Sequence, residues 1–264
     1  MAVHASVYEG LMGTTTKRFL HNDIDSLERI LSKAKDEYQT KMVIIDGVYS
    51  QDGDIAKLKE IVEITHQYDG VVLADDAHGI GVIGETGRGA MELYNVLDKV
   101  YIITGTFSKT FGNVGGYLVA DPSIVTYLKY QYRQYAFSAS APATVLGVAK
   151  AIDLIDEEPH WQIQLWKNIN YFKQGLLDIG LKIGNTESAI IPVKIGDAHK
   201  NSETAKILLE NGIYTNPIMY PAVSLKDSRI RMSLMATHTK EQLDKVLNVF
   251  EDVNKKLEIA EKFG

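Results

Sequence analysis

The sequence predicts an α/β protein in which an open, mostly parallel sheet flanked by helices is followed by a smaller α+β region. Three observations carry that prediction. Short apolar runs alternate with longer amphipathic stretches through the first part of the chain, the order expected of βαβ units. Two of those runs, VVLADDAHG (71–79) and VYIITGTFSK (100–109), end in acids, hydroxyls and a lysine, as buried parallel strands do when they deliver polar groups at their carboxyl ends. Beyond the acidic stretch DEEPHW (156–161), the pattern changes to a long amphipathic helix, two strands and a closing helix. The expected division is therefore a sheet domain over 1–156 and a smaller α+β domain over 157–264.

Taken in order, KRFLH (17–21) predicts a short strand, and DIDSLERILSKAK (23–35) a helix opened by an Asp cap. KMVIIDGV (41–48) reads as a buried strand, and IAKLKEIVEITHQY (55–68) has apolar residues at helical spacing. Residues 71–76 and 100–106 are further buried strands, with GGYLVA (115–120) as another. An apolar helix over 142–156 is begun by Pro142, whose missing N–H is harmless in a first turn. In the second region HWQIQLWKNINYFKQGLLDIG is a helix with Gly180 suited to its cap. AIIPVKIG (189–196) and RIRMSLMA (229–236) are strands, and residues 239–258 form a helix with Thr239 as cap.

Composition narrows the function classes. The chain has 264 residues, 45% of them hydrophobic, enough to bury a real core. A net charge of −6 argues against a nucleic-acid surface, because phosphate binding wants a basic patch. With no cysteine, neither a disulfide framework nor a thiolate nucleophile is available. No apolar run approaches the ~18 residues of a membrane span, and MAVHASVYEG has no leader character. A cytoplasmic location is the expectation.

Lys109 follows Asp75 by 34 positions (109 − 75), and neighbouring strands of an open sheet would place both in one crevice. A lysine that forms a Schiff base and a carboxylate that pairs with a pyridinium nitrogen are the protein groups that pyridoxal phosphate (PLP) requires. The glycine-rich GNVGG (112–116) lacks GxGxxG spacing and follows the lysine instead of opening a helix, so it is a poor nucleotide loop.

Seven strings then match one family in order: HAS (4–6), HND (21–23), DGVYSQDGD (46–54), ADDAHGIGVIGETGRG (74–89), GTFSKTFGNVGGY (105–117), FSASAP (137–142) and RIRMSLMATHT (229–239). On these the chain resembles the α-oxoamine synthases, fold-type I PLP enzymes that include 8-amino-7-oxononanoate synthase, 2-amino-3-ketobutyrate CoA ligase (glycine C-acetyltransferase), 5-aminolevulinate synthase and serine palmitoyltransferase. The resemblance implies a PLP-binding large domain and a small C-terminal domain. It makes Lys109 the Schiff-base lysine and then the base for the substrate Cα proton, and Asp75 the partner of the pyridine nitrogen. His4 is expected to stack on the cofactor ring, with His78 bonding the phenolic oxygen or the substrate carbonyl, Ser50 near the phenolic edge, and Thr106 and Ser108 near the phosphate. Ser138 and Ser140 resemble a segment reaching a partner subunit's cofactor in a homodimer, although the family's Pro-Pro is here Ala141-Pro142. Arg231 resembles the arginine that grips the substrate carboxylate, and alternation puts Arg229 on the same face, so both are candidates.

The implied reaction condenses an amino acid with an acyl-CoA or acyl-carrier thioester, releasing coenzyme A and typically CO2, with a lean toward the serine-palmitoyltransferase-like branch. A different fold-type I aminotransferase, a non-catalytic partner subunit and an inert fragment are the alternatives. The resemblance also implies that a glycine–aromatic phosphate turn and the first sheet strands precede His4, which leads to the expectation of an N-terminally truncated enzyme with an uncovered sheet edge or apolar face.

Overall fold

A computed structural model describes residues 3–132 and 142–260. Contacts divide the chain into two compact units: residues 1–50 with 55–159, and residues 51–54 with 160–264. The boundary falls between Pro159 and His160, and the short segment 51–54 joins the second unit in spite of its place in the chain.

In the first unit, α1 (Ala5–Glu9) and α2 (Ile24–Ala34) precede β1 (Met42–Asp46), α3 (Leu58–Gln67), β2 (Val71–Asp75), α4 (Ala90–Leu93), β3 (Ile102–Thr106), β4 (Gly116–Ala120), α5 (Pro122–Gln131) and α6 (Pro142–Glu157). The sheet order is β1-β2-β3-β4. The first three strands are parallel, and β4 returns antiparallel beside β3. Asp23 caps α2 as expected, accepting the Ser26 N–H at 2.8 Å. The core collects Ile45, Val72 and Ala74 from the strands with Leu58, Ile61 and Val62 from α3.

Residues 17–21 are not a strand. The Leu20 N–H goes to Ser26 Oγ and its carbonyl accepts from Asp23 N, so the backbone is satisfied by a turn leading into the α2 cap. Apolar side chains on β4, α5 and α6 stay open to solvent, with Val119, Tyr130 and Leu146 all more than half exposed.

The second unit holds α7 (His160–Asp178), β5 (Ile190–Gly196), α8 (Ala198–Glu210), β6 (Asn216–Ile218), β7 (Ser228–Ser233) and α9 (Lys240–Leu257), with an antiparallel sheet in the order β5-β7-β6. Gly180, at φ +85°, ends α7. The Gly180 N–H reaches the Leu177 carbonyl and the Leu181 N–H reaches Leu176, a left-handed cap that only glycine adopts without strain. Thr239 and Gln242 form a reciprocal capping box on α9.

Candidate active site

Strand register builds the site. In the parallel pairing Asp46 of β1 lies opposite Asp75 of β2, and Asp75 opposite Thr104 of β3. Residues in register on parallel strands point to the same face, so three polar side chains stand in a row at the carboxyl ends of three apolar strands. All three line a cavity of about 430 Å³, together with His4, Ser50, His78, Thr106, Ser108 and Lys109. Seven of the residues singled out from sequence therefore meet in one place: His4, Ser50, Asp75, His78, Thr106, Ser108 and Lys109, with Arg231 and Arg229 belonging to the second unit and Ser138 and Ser140 lying outside the described residues.

Lys109 sits on the loop between β3 and β4. Phe107 N donates to the Gly115 carbonyl at 2.9 Å, Asn113 N to Phe107 O at 2.7 Å and Gly112 N to Lys109 O at 2.9 Å, closing the loop on itself. Phe107 stacks on Tyr117, whose ring lies over Gly105 so closely that any side chain at 105 would overlap it. Burial first, then the charges of Asp76 and Asp75, raise the Tyr117 phenol above its usual range. Just before the lysine, the Thr106 and Ser108 hydroxyls lie 2.8 Å apart and Ser108 N donates to Thr106 Oγ1 at 3.2 Å. This small nest of donors suits an anion.

Asp75 and Asp76 are adjacent in sequence and opposite in role. Asp75 faces the cavity and accepts the Ala77 N–H at 2.9 Å. Asp76 points the other way, is 1% exposed, and accepts the Ala90 N–H at 3.0 Å. Added Cβ atoms at Gly47, Gly79 or Gly89 would each overlap its carboxyl group, so the three glycines form the space it occupies. Burial pushes the Asp76 carboxyl up to about 8, opposed by the Ala90 N–H and aided by Asp75.

Asp46 is one cavity residue that sequence reasoning missed. It is 3% exposed, and burial pushes its carboxyl up to about 7, with the His4 N–H opposing, Asp75 adding and Lys109 opposing. The signal was present: MVIIDG ends an apolar strand in an acid, as VVLADD does. Thr104 was missed as well, and its Oγ1 is buried without a hydrogen-bond partner among the described residues. A polar atom left in that state at a cavity wall is a place for a ligand group or water. Carboxylates, an amine, two imidazoles and an unmatched hydroxyl around one cavity fit a polar aromatic aldehyde phosphate such as PLP.

His4 is placed as a cap. Its Nδ1 accepts from Ser6 N at 3.3 Å, and its own backbone N–H donates to Asp46 Oδ1 at 3.2 Å.

The arginine expectation needs correction at Arg229. Its guanidinium is 1% exposed and is held by Asp52 and Asp227, with further bonds to the Gln51 and Asp227 carbonyls at 3.1 and 3.0 Å. A side chain so enclosed has no face to offer a substrate carboxylate. Arg231, two residues on, is partly exposed, and burial lowers its pKa from the usual guanidinium value.

Comparison with known proteins agrees with this geometry. Residues 6–250 match the model of aminotransferase class I and II. The chain belongs to that family. A serine palmitoyltransferase of Sphingobacterium spiritivorum is 41% identical over 97% of this chain, and an 8-amino-7-oxononanoate synthase of Thermoanaerobacter pseudethanolicus is 40% identical over 97%. The chain spans 65% and 66% of the length of these two relatives. A solved serine palmitoyltransferase from S. paucimobilis, with a bound PLP–myriocin aldimine, superposes with a TM-score of 0.92 at 31% identity, covering 98% of this chain and 66% of that one. The resemblance to α-oxoamine synthases and their fold-type I architecture is thereby borne out. No helix among the described residues is long and apolar enough to cross a membrane.

Proposed function

We propose that this chain carries the catalytic cavity of a PLP-dependent acyltransferase that joins an amino acid to an acyl-CoA, typically with loss of CO2. The observation that carries the reading is the register of Asp46, Asp75 and Thr104 at three strand ends, facing the same cavity as Lys109. PLP, when bound, supplies an electron sink for a carbanion. Lys109 would hold its aldehyde carbon and then move the substrate Cα proton at its Nζ. Asp75 would keep a proton on the pyridine nitrogen, His4 and His78 would orient the ring and its phenolic oxygen with Ser50, and Thr106 and Ser108 would donate to the phosphate. Arg231 is the proposed grip on the amino-acid carboxylate, where a bidentate fork suits the ligand. A homodimer in the cytoplasm is the proposed setting. For the acyl chain, the lean is to a long-chain donor, as the name serine palmitoyltransferase of the relative implies for that protein.

The test has two stages. PLP is titrated into the purified chain, followed by borohydride reduction and peptide mapping, and the reduced adduct is expected on Lys109 and absent from Lys109→Ala. Coenzyme A release is then measured for a panel of amino acids against acyl-CoA donors of graded length. An adduct that persists in Lys109→Ala removes the lysine assignment. Conversion of PLP to pyridoxamine phosphate by an amino acid alone, with no release of coenzyme A, would point to an aminotransferase instead.

A further inference from the structure

The first unit contains a buried acid to which neither the resemblance nor the proposed reaction gives a task. Asp46 stands in register beside Asp75, in the same cavity wall, and is almost fully enclosed. Two carboxylates held side by side by a parallel ladder cannot both remain charged without a counter-charge. The protein partner that Asp46 holds is the backbone N–H of His4, 42 residues away in sequence, at 3.2 Å. That bond joins the start of α1 to the end of β1. His4 is otherwise the cap of a five-residue helix that buries none of its side chains.

We propose that Asp46 is a positioning residue: its carboxylate, fixed by the β1–β2 register, seats His4 against the cavity, and taking up a proton on Asp46 loosens that seat. The proposal rests on the PLP reading only for what His4 would then orient. The physical link is reciprocal. An N–H donated to a carboxylate favours the anion, so protonation of the carboxylate must weaken the bond to the same extent. The charged and titratable groups facing Asp46 are Asp75 from β2, His78 from the turn after it, Lys109 from the β3–β4 loop and His4 itself. Burial already holds the Asp46 proton to about pH 7, so the change falls in the working range.

The test begins without any cofactor. In the isotope-labelled chain, the His4 backbone amide resonance is followed from about pH 5 to about pH 9. It is expected to show a step with a midpoint near 7 in the wild type, to lose that step in Asp46→Asn, which keeps an acceptor that does not titrate, and to regain it in Asp46→Glu. A His4 amide that does not move in the wild type, or that moves unchanged in Asp46→Asn, overturns the proposal. The second measurement is PLP affinity across the same pH range. Wild-type affinity is expected to fall below the midpoint found for the amide, and that step should be missing in Asp46→Asn. An identical pH profile in both proteins also overturns the proposal. If no variant binds PLP, the cofactor reading fails, and the amide titration decides the seating of His4 independently.

Discussion

The two units contain ionic clusters built on opposite principles. In the second unit the charges gathered around Arg229 answer one another. Arg229 is enclosed by Asp52 and Asp227, and Lys194 reaches the same two carboxylates at 3.3 and 2.9 Å. The Asp52 carboxyl is accordingly lowered: burial works against ionisation, but Arg229 and Lys194 outweigh it. In the first unit two buried acids, Asp46 in the cavity wall and Asp76 facing away from it, are less well answered. Asp46 and Asp76 are raised, because burial is only partly offset, at Asp46 by the His4 N–H and Lys109 and at Asp76 by the Ala90 N–H. A matched cluster holds a fold together, whereas an unmatched one at a cavity is held in place by the fold and waits for ligand charge. Arg229 and Lys109 were both plausible site cations in the sequence, and this contrast separates them.

The largest expected effect breaks the matched cluster. Arg229→Ala leaves two aspartates with Lys194 alone and empties a fully buried volume, so it should destabilise by roughly 3 kcal/mol or more. Urea unfolding measures it, with the midpoint falling. A loss under about 0.5 kcal/mol would place Arg229 among ordinary surface ion pairs and erase the contrast.

The clusters should also respond to pH with opposite sign. Asp46 and Asp76 have folded-state pKa values raised to about 7 and about 8, above the ~3.9 of an unfolded Asp. The folded state therefore holds protons that the unfolded state has lost, and stability falls as pH rises from about 4 toward 8, by up to about 1.4 kcal/mol per pH unit for each acid. Asp52 is depressed, so its contribution is present at neutral pH, begins to fade below the unfolded value and is lost as pH falls through the lower folded one. Thermal melts across pH should show Asp46→Asn and Asp76→Asn flattening the decline on the alkaline side. If both variants melt in parallel with wild type from about pH 5 to 8, the raised values are wrong.

A third experiment probes the glycine-lined space around Asp76. Gly79→Ala should overlap the buried carboxyl and cost about 1–3 kcal/mol, as overpacking does. In an Asp76→Ala background the added methyl has room, so the double-mutant cycle should show strong positive coupling. Additive losses would mean that Gly79 is needed for its backbone and not for the acid.

How much of this was legible in the sequence depends on whether a signal was local. Asp75 and Lys109 announce themselves because each ends an apolar run, and the strand ladder alone then brings them together. Asp46 carried the same signal and went unread because no motif role was attached to it. The strand expected at 17–21 failed because a strand needs a neighbour, and Arg18 instead donates to the Tyr8 hydroxyl at 2.6 Å while the backbone turns toward Asp23. Helices α5 and α8 were not anticipated, although Asp121 with Pro122 and Asp197 are good openings for them. The fate of Arg229 was beyond local reading. Its partner Asp52 lies 177 positions away, and alternation says which face a residue shares but not which carboxylates fold against it.

The smallest effect on stability, and the sharpest test of the contrast, is Arg231→Ala. Arg229 and Arg231 lie on one face of β7, yet only Arg229 is fully enclosed. Truncating Arg231 should cost less fold stability than truncating Arg229, because the side chain is only partly buried. If Arg231 grips the amino-acid carboxylate, a charge-assisted bidentate pair worth roughly 1.5–3 kcal/mol is lost, and amino-acid affinity should weaken about tenfold or more. PLP affinity should hardly change, since the proposed cofactor contacts lie on other residues. Spectral titration of the PLP-loaded protein with each candidate amino acid, beside a urea melt, reads both quantities from one preparation. An Arg231→Ala protein that melts as early as Arg229→Ala but binds amino acids normally would make both arginines structural, and the substrate carboxylate would then need another partner.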